Sequence, residues 1–223
     1  KLINYDDACL YVYMKCKLFG YNYNTYIKQI VIDEAQDYSM GQLKLIKKIF
    51  KNASYTILGD VNQTINPYYK YESLDVLADI FKQSKCISLT KTYRSSPEII
   101  EFTNKILGLD HVCAIRKTES VPLIHRTDNS MLLEDIDYLR NKYKSVAVIT
   151  RDNNTAVKLY ESLKDTLPIS LLNGQSEEFN KELVVLPAYL AKGLEFDSVI
   201  VYSDLDSKYL KNEKNLLYVA CTR

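Results

Sequence analysis

The chain has 223 residues and is almost neutral, with 29 basic and 28 acidic residues. This length suits one or two globular domains with a substantial core. The charge balance excludes a polybasic nucleic-acid-binding arm, so affinity for nucleic acid would have to come from a local groove. No apolar run is long enough to span a membrane, the first residues do not form a signal peptide, and the five scattered cysteines lack metal-ligand spacing. We therefore expect a cytoplasmic protein with reduced thiols and no membrane partner.

The first half of the chain alternates apolar runs with helical patterns. Predicted strands cover residues 30–32, 55–58 and 86–89, and predicted helices cover residues 40–50, 72–83 and 97–107. Strands that alternate with helices favour right-handed crossovers and a parallel sheet. The first strand is β-branched throughout, which predicts burial on both faces. Ser96 is the expected N-cap of the last helix, with Pro97 at its first position.

Polar residues follow each of these three predicted strands. Asp33 and Glu34 follow the first strand, Gln63 follows the second and Arg94 follows the third. Because the carboxyl ends of parallel strands lie on one edge of a sheet, we expect these four side chains to converge on one ligand. Adjacent Asp and Glu residues suit a Mg²⁺ ligand beside a general base, as hydrolysis of a nucleotide phosphate requires.

The second half repeats the alternation after a polar connection at residues 110–120. Predicted strands cover residues 122–125, 146–151, 183–186 and 199–202, and predicted helices cover residues 131–143, 155–163 and 213–222. The strand at residues 146–151 is predicted to be buried, and Arg151 ends it. Its position is compatible with either a structural ion pair or a functional role.

Five short sequence boxes resemble the motifs of the UvrD/Rep-like superfamily 1 helicases, in the order of that family. The boxes similar to the second to sixth motifs cover residues 33–37, 59–65, 93–96, 191–197 and 217–223. More narrowly, residues 33–39 and 187–193 resemble the helicase-IV/HelD branch, some members of which bind RNA polymerase.

The resemblance implies an α/β fold with two RecA-like lobes of the P-loop NTPase type, each with a parallel sheet flanked by helices. Residues 1–110 would form the C-terminal part of an incomplete first lobe and carry the second, third and fourth motifs. Residues 111–223 would form the second lobe with the fifth and sixth motifs, truncated at its C-terminus.

The resemblance also implies ATP and Mg²⁺ as cofactors, single-stranded DNA as partner, and a set of site residues. The catalytic residues would be Glu34, Gln63, Arg94 and Arg223, the nucleotide-binding residues Asp33, Tyr93, Lys192, Gly193 and Glu195, and the nucleic-acid contact Tyr68. Asp33 would hold the metal, Glu34 would act as general base and Gln63 would sense the γ-phosphate. Arg94 and Arg223 would meet the γ-phosphate from opposite lobes, Arg223 as an arginine finger.

The remaining implied roles concern the base, the ribose and the nucleic acid. Tyr93 would lie against the adenine ring, and Glu195 would bind the ribose or order the nucleotide. Lys192 and Gly193 would shape the loop that precedes Glu195. Tyr68 would stack on a nucleobase, a contact that tolerates any sequence.

One expected element is absent from the sequence. No Gly-x-x-x-x-Gly-Lys-Ser/Thr loop, which cradles the phosphates of a nucleotide, occurs in the 223 residues. We therefore expect an excised piece of a larger motor that is inactive alone. Pro187 and Tyr189 stand where UvrD-like enzymes usually carry Thr and His. Two functions stay open: an ATP-driven DNA helicase or translocase, and an RNA polymerase-binding ATPase that recycles stalled transcription complexes.

Overall fold

The computed structural model describes residues 3–21, 23–66, 70–110, 112–116, 123–174, 176, 180, 182–203 and 209–223. The chain divides into two compact units, Lys1–Ile87 and Ser88–Arg223. The predicted connection between lobes, at residues 110–120, falls within the second of these units. Each unit is α/β, with parallel strands and helices beside them, so the predicted fold class is confirmed.

The first unit is built around two parallel strands. Its elements are helix α1 (Tyr5–Phe19), strand β1 (Gln29–Ile32), helix α2 (Met40–Ile49) and strand β2 (Ser54–Ile57). Ile30 of β1 lies opposite Tyr55, and Ile32 lies opposite Ile57. Parallel pairing of consecutive strands needs a crossover, which α2 supplies. The prediction of two parallel strands separated by a helix is confirmed.

The small sheet of the first unit is buried on one face. Ile32 packs with Leu43, Leu77 and Phe81 in the core, whereas Val31 is 62% exposed. Successive side chains of a strand point to opposite faces. Within the described residues of this unit, the Val31 side is not covered, so the prediction of a strand buried on both faces is wrong.

Of the two elements predicted between the small sheet and Lys91, the helix is shorter than predicted and of 3₁₀ type, and the strand is absent. Within residues 72–83 the chain forms a 3₁₀ helix, Leu74–Asp79, whose first turn is capped by the Ser73 hydroxyl accepting from the Asp75 N–H at 3.1 Å. Such local side-chain bonds favour tight turns over a long α-helix. Residues 86–89 form no strand, and Leu89 is 88% exposed. Alternating apolar residues form a strand only where another strand pairs with them.

The second unit begins with a short strand pair and continues as a four-stranded sheet. Its elements are β3 (Lys91–Thr92), α3 (Pro97–Leu107), β4 (Cys113–Ala114), α4 (Leu132–Lys142), β5 (Val146–Thr150), α5 (Asn153–Leu163), β6 (Ser170–Leu171), β7 (Leu183–Pro187), α6 (Ala188–Ala191), β8 (Ser198–Tyr202) and α7 (Lys214–Cys221). The strand order is β6-β7-β5-β8, with every pair parallel. Strands β3 and β4 also pair in parallel.

Both faces of the larger sheet are covered by helices. On one face, Val146 and Val148 pack with Leu159 of α5. On the other face, Ala147 and Ile149 pack with residues of α6 and α7. All five residues of β5 are buried. The prediction of buried parallel strands is therefore confirmed for this unit.

Helix boundaries in the second unit follow the sequence signals closely. Ser96 precedes α3 and Pro97 is its first residue, as predicted, although the Ser96 side chain makes no capping hydrogen bond. The predicted strand at residues 122–125 is absent from its described part, residues 123–125. Among the helices of the described ranges, none combines the length and apolar character needed to cross a membrane.

Candidate nucleotide site

A sharp turn places two carboxylates at the carboxyl end of β1. Asp33 follows the strand directly, and Glu34 adopts a left-handed backbone conformation with φ 51° and ψ 43°. The Glu34 N–H donates to Asp33 Oδ1 at 2.8 Å, and the Ala35 N–H donates to the Leu58 carbonyl at 2.8 Å. Hydrogen bonds therefore stabilise the turn internally and connect it to the residue that follows β2.

The buried amide of Gln36 connects this turn to the segment after β2. Gln36 is fully buried. Its Nε2 donates to Glu34 Oε2 at 2.5 Å, and its Oε1 accepts from the Asp60 N–H at 2.9 Å. A side chain at Gly59 would bring Cβ to 2.6 Å from Gln36 Oε1, so only glycine leaves room for this contact.

Gln63 lies on the same hydrogen-bonded chain. It ends the 3₁₀ helix Val61–Gln63, and its Nε2 donates to Asp60 Oδ2 at 2.9 Å. Asp60 Oδ1 caps the helix by accepting from the Asn62 N–H at 2.9 Å. Two of the predicted catalytic residues, Glu34 and Gln63, are therefore joined through Gln36 and Asp60. Gln36 and Asp60 both lie inside the boxes at residues 33–37 and 59–65, but the sequence predicts no role for them, because burial of an amide leaves no local sequence signal.

The donor set of the first unit suits a Mg²⁺–nucleotide complex. Mg²⁺ commonly takes one or two carboxylates and keeps water and substrate phosphate oxygens as its other ligands. Asp33 is an exposed carboxylate at the strand end and meets that need. The described ranges hold no group of three or more His, Cys, Asp or Glu residues that could cage a metal ion without such a substrate.

Predicted site residues of the second unit meet in an ion pair. Arg94 Nη2 lies 2.6 Å from Glu195 Oε1, and the two side chains are 50% and 63% exposed. An exposed pair of this kind contributes little stability, so Arg94 can exchange its partner at small cost. Tyr93 is exposed and lines a shallow depression with residues 88–91.

The loop between α6 and β8 carries three more predicted site residues. Lys192 and Gly193 form a turn closed by the Leu194 N–H donating to the Ala191 carbonyl at 3.0 Å. Gly193 has φ 81°, a conformation that favours glycine. The turn leads directly to Glu195, so the structure brings Lys192, Gly193, Glu195 and Arg94 to one part of the second unit.

Arg223 follows α7, and its side chain is 8% exposed. Its Nε donates to the Val219 carbonyl at 3.3 Å. The expectation that Arg94 and Arg223 meet a γ-phosphate from opposite lobes stays a prediction. Both residues belong to the second compact unit, because β3, which precedes Arg94, pairs with β4, and α3, which follows it, packs against α7. Tyr68 lies outside the described residues.

Arg151 forms a structural ion pair at the end of β5. Its Nε and Nη2 contact the two carboxylate oxygens of Glu213 at 2.8 and 3.0 Å. Glu213 Oε2 also accepts from the Leu210 N–H at 2.8 Å. The hydrogen bond from Arg151 lowers the pKa of Glu213 below its ordinary value. Of the two alternatives left open for Arg151, the structure favours the ion pair.

The chain is similar in sequence to a helicase domain family and to parts of several DNA helicases. Residues 4–73 match the family model of the UvrD/REP helicase N-terminal domain. A probable DNA helicase of Mycoplasma pneumoniae is 25% identical, and the match covers 88% of this chain and 42% of that helicase. The ATP-dependent DNA helicase Rep of Buchnera aphidicola subsp. Baizongia pistaciae is 26% identical, and the match covers 78% of this chain and 29% of that helicase. The ATP-dependent DNA helicase srs2 of Schizosaccharomyces pombe is 34% identical, and the match covers 38% of this chain and 10% of that helicase.

The chain spans less than half the length of these curated relatives. Among solved structures, the C-terminal domain of a possible DNA helicase from Lactobacillus plantarum WCFS1 aligns with a TM-score of 0.45 and 23% identity, covering 59% of this chain and 81% of that domain. Residues 4–73 are thus similar to the UvrD/REP helicase N-terminal domain, and the chain is similar to parts of several DNA helicases.

Proposed function

We propose that the chain is part of an ATP-dependent DNA helicase or translocase that moves along single-stranded DNA. The observation that carries the proposal is the pair Asp33 and Glu34 at the end of β1, joined by hydrogen bonds to Gln63 after β2. The match of residues 4–73 to a helicase domain and the names of the curated relatives support it. The phosphate loop absent from these 223 residues would come from another part of the whole protein.

The residues of the first unit have complementary tasks in this proposal. Asp33 would hold a bound Mg²⁺ ion through its exposed carboxylate. The ion would add the positive charge that polarises the phosphoanhydride bond of ATP. Glu34 accepts the proton of the attacking water, and the short contact from Gln36 fixes the direction of its carboxylate. Gln63 contacts the γ-phosphate and thereby reports whether ATP or ADP is bound.

The residues of the second unit contribute binding and charge stabilisation. Arg94 and Arg223 carry planar guanidinium groups, which grip phosphate oxygens in a way that lysine does not. We propose that Arg94 exchanges Glu195 for phosphate when a nucleotide is bound, and that Arg223 acts as the arginine finger. Tyr93 stacks on adenine, and Lys192 and Gly193 present Glu195 to the ribose. Tyr68 is proposed to stack on a nucleobase.

The assignment of the carboxylate pair can be tested in the whole ATP-hydrolysing protein. Glu34→Gln should leave nucleotide binding largely intact and lower kcat by about 10²–10⁴-fold, because the amide cannot accept a proton. Asp33→Ala should instead weaken binding of the Mg²⁺–nucleotide complex. The measurements are steady-state turnover and binding of a fluorescent ATP analogue, with and without Mg²⁺.

Asp37→Asn is the matched control, since Asp37 belongs to the same acidic box but has no proposed catalytic role. It should retain turnover within a few-fold of the unaltered protein. Normal turnover by both Glu34→Gln and Asp33→Ala would show that these carboxylates do not form the catalytic pair.

A second candidate is an ATPase that binds RNA polymerase. The observation in its favour is the sequence of residues 187–193, with Pro187 and Tyr189 where UvrD-like enzymes usually carry Thr and His. ATPase stimulation separates the two candidates. Stimulation by single-stranded DNA alone supports the helicase, whereas stimulation by purified RNA polymerase in the absence of free DNA supports the alternative.

A further inference from the structure

We infer that Gln36 is a positioning residue that couples Gln63 to the general base Glu34, an inference that rests on the function proposed above. Gln36 is fully buried and its amide is bonded on both sides. Nε2 donates to Glu34 Oε2 at 2.5 Å, and Oε1 accepts from the Asp60 N–H at 2.9 Å. Buried polar groups need partners, and here each end of one amide is bound to a different segment of the site.

The two contacts demand an amide of this length. The carboxylate of Glu34 can only accept and the N–H of Asp60 can only donate, so the connecting group must donate at one end and accept at the other. A primary amide does both. Glutamate at position 36 would still accept from the Asp60 N–H but would set a second carboxylate against Glu34. Alanine would leave both partners without this contact.

Asp60 extends the connection to Gln63. The backbone N–H of Asp60 donates to Gln36, while its carboxylate accepts from Gln63 Nε2 at 2.9 Å and from the Asn62 N–H at 2.9 Å. A shift of the Gln63 side chain therefore acts on a residue whose backbone is bonded to Gln36. The sequence of contacts runs from Gln63 through Asp60 and Gln36 to Glu34.

The packing at Gly59 independently supports this connection. A Cβ atom at position 59 would lie 2.6 Å from Gln36 Oε1 and 3.1 Å from the Ala35 backbone N. The absence of a side chain is what allows the Gln36 amide to reach the Asp60 N–H. Glycine at position 59 therefore leaves the space in which Gln36 Oε1 accepts from the Asp60 N–H.

The functional consequence is that the state of Gln63 changes the orientation of Glu34. When Gln63 contacts a γ-phosphate, the connected amide holds the Glu34 carboxylate towards the attacking water. Without the connection, the Glu34 carboxylate loses its fixed direction. The effect falls on the chemical step and not on nucleotide binding.

The first test measures kcat and KM of the whole ATP-hydrolysing protein. Gln36→Ala should lower kcat by about 10–100-fold, a typical effect for a residue that orients a catalytic group, and should change KM for ATP by less than about 3-fold. Gln36→Glu should not restore activity, because it keeps the side-chain length and loses the donor. The matched control is Gln42→Ala, which removes another buried glutamine whose Oε1 accepts from the Ser39 N–H at 2.6 Å in the cap of α2.

A double-mutant cycle with Gln63→Ala tests the coupling itself. If Gln36 acts on the same step as Gln63, the double variant should be about as slow as the slower single variant. The corresponding cycle of Gln42→Ala with Gln63→Ala should be additive. Additive effects in both cycles would overturn the coupling.

The second test needs no catalysis and uses the 223-residue chain. Amide hydrogen exchange followed by NMR should show the Asp60 N–H exchanging at least about 10-fold faster in Gln36→Ala than in the unaltered chain or in Gln42→Ala. Equal exchange in all three proteins would show that the Gln36–Asp60 bond is not formed.

The outcomes separate the inference from the proposed function. If Glu34→Gln and Asp33→Ala both turn over ATP as fast as the unaltered protein, the proposed catalytic pair fails and the inference fails with it. If Glu34→Gln is inactive but Gln36→Ala matches Gln42→Ala in kcat, the proposed function stands and the positioning role of Gln36 is wrong.

Discussion

Glu34 combines a proposed catalytic role with an unfavourable backbone conformation. Its φ of 51° lies in the left-handed region, where a residue with a Cβ atom is destabilised by about 1–2 kcal/mol. Non-glycine residues persist in such conformations only where surrounding contacts hold them, and they are frequent at functional sites. Here the contacts are the hydrogen bonds from Glu34 N–H to Asp33 and from Ala35 N–H to the Leu58 carbonyl.

This conformation leads to a stability prediction at position 34. Glu34→Gly should be more stable than Glu34→Ala by about 0.5–1 kcal/mol, because glycine relieves the left-handed strain by more than it gains in unfolded-state entropy. The measurement is the free energy of unfolding in urea. The same pair of substitutions at Lys44, inside α2, should show the opposite order, since glycine weakens a helix interior. Equal or reversed stability at position 34 would contradict the strained backbone.

Cysteine reactivity can be predicted from the surroundings of individual thiols. Burial raises the pKa of the Cys221 thiol to about 12. Cys113 is exposed. Because the thiolate is the reactive form, iodoacetamide at pH 8 should modify Cys113 well before Cys221. Mass spectrometry of peptides sampled over time measures the order, and preferential labelling of Cys221 would contradict the packing of α7.

At the scale of the elements, the Arg151–Glu213 pair connects the end of β5 to the start of α7. Glu213 has a lowered pKa in the folded chain because Arg151 donates to it. Its contribution to stability is therefore present above the ordinary glutamate pKa of about 4.3 and is lost as the pH falls through the lower folded value. Arg151 stays protonated throughout this range, so only Glu213 titrates.

Glu213→Gln should destabilise the chain at pH 7 by about 1–3 kcal/mol, the range for a hydrogen bond to a charged group. The difference from the unaltered chain should shrink as the pH falls below about 4. Urea unfolding at several pH values measures it. Glu161→Gln, which removes an exposed partner of Lys164, should leave the free energy of unfolding almost unchanged and serves as the control. A pH-independent loss for Glu213→Gln would assign the effect to packing.

At the scale of the whole molecule, the absence of a phosphate loop from the sequence leads to a prediction about activity. The loop supplies both nucleotide binding and charge stabilisation in P-loop NTPases. We expect the 223-residue chain alone to hydrolyse ATP no faster than its own Glu34→Gln variant. Release of phosphate measures this. Robust Mg²⁺-dependent turnover that Glu34→Gln abolishes would contradict the expectation.

Local sequence patterns by themselves determined two kinds of element: strands that are covered on both faces, and helices whose ends are fixed by neighbouring residues. The apolar run of β5 predicts a buried strand, and helices of the second unit do cover both of its faces. Helix α2 starts where the sequence predicts, and a reciprocal capping box between Ser39 and Gln42 fixes that start. The polar residues after β1 and β2 were also found from their position alone, because strand ends are encoded by short-range sequence.

Tertiary structure decided the features that depend on distant partners. Val31 belongs to an apolar run like that of β5, yet it is exposed because the described part of its unit covers one face only. Arg94 lies in the second unit because β3 pairs with a strand that the sequence did not reveal. The link from Glu34 to Gln63 depends on the burial of Gln36 and on the space at Gly59. Periodicity reports what one segment can bury, whereas pairing and coverage depend on which other segments meet it.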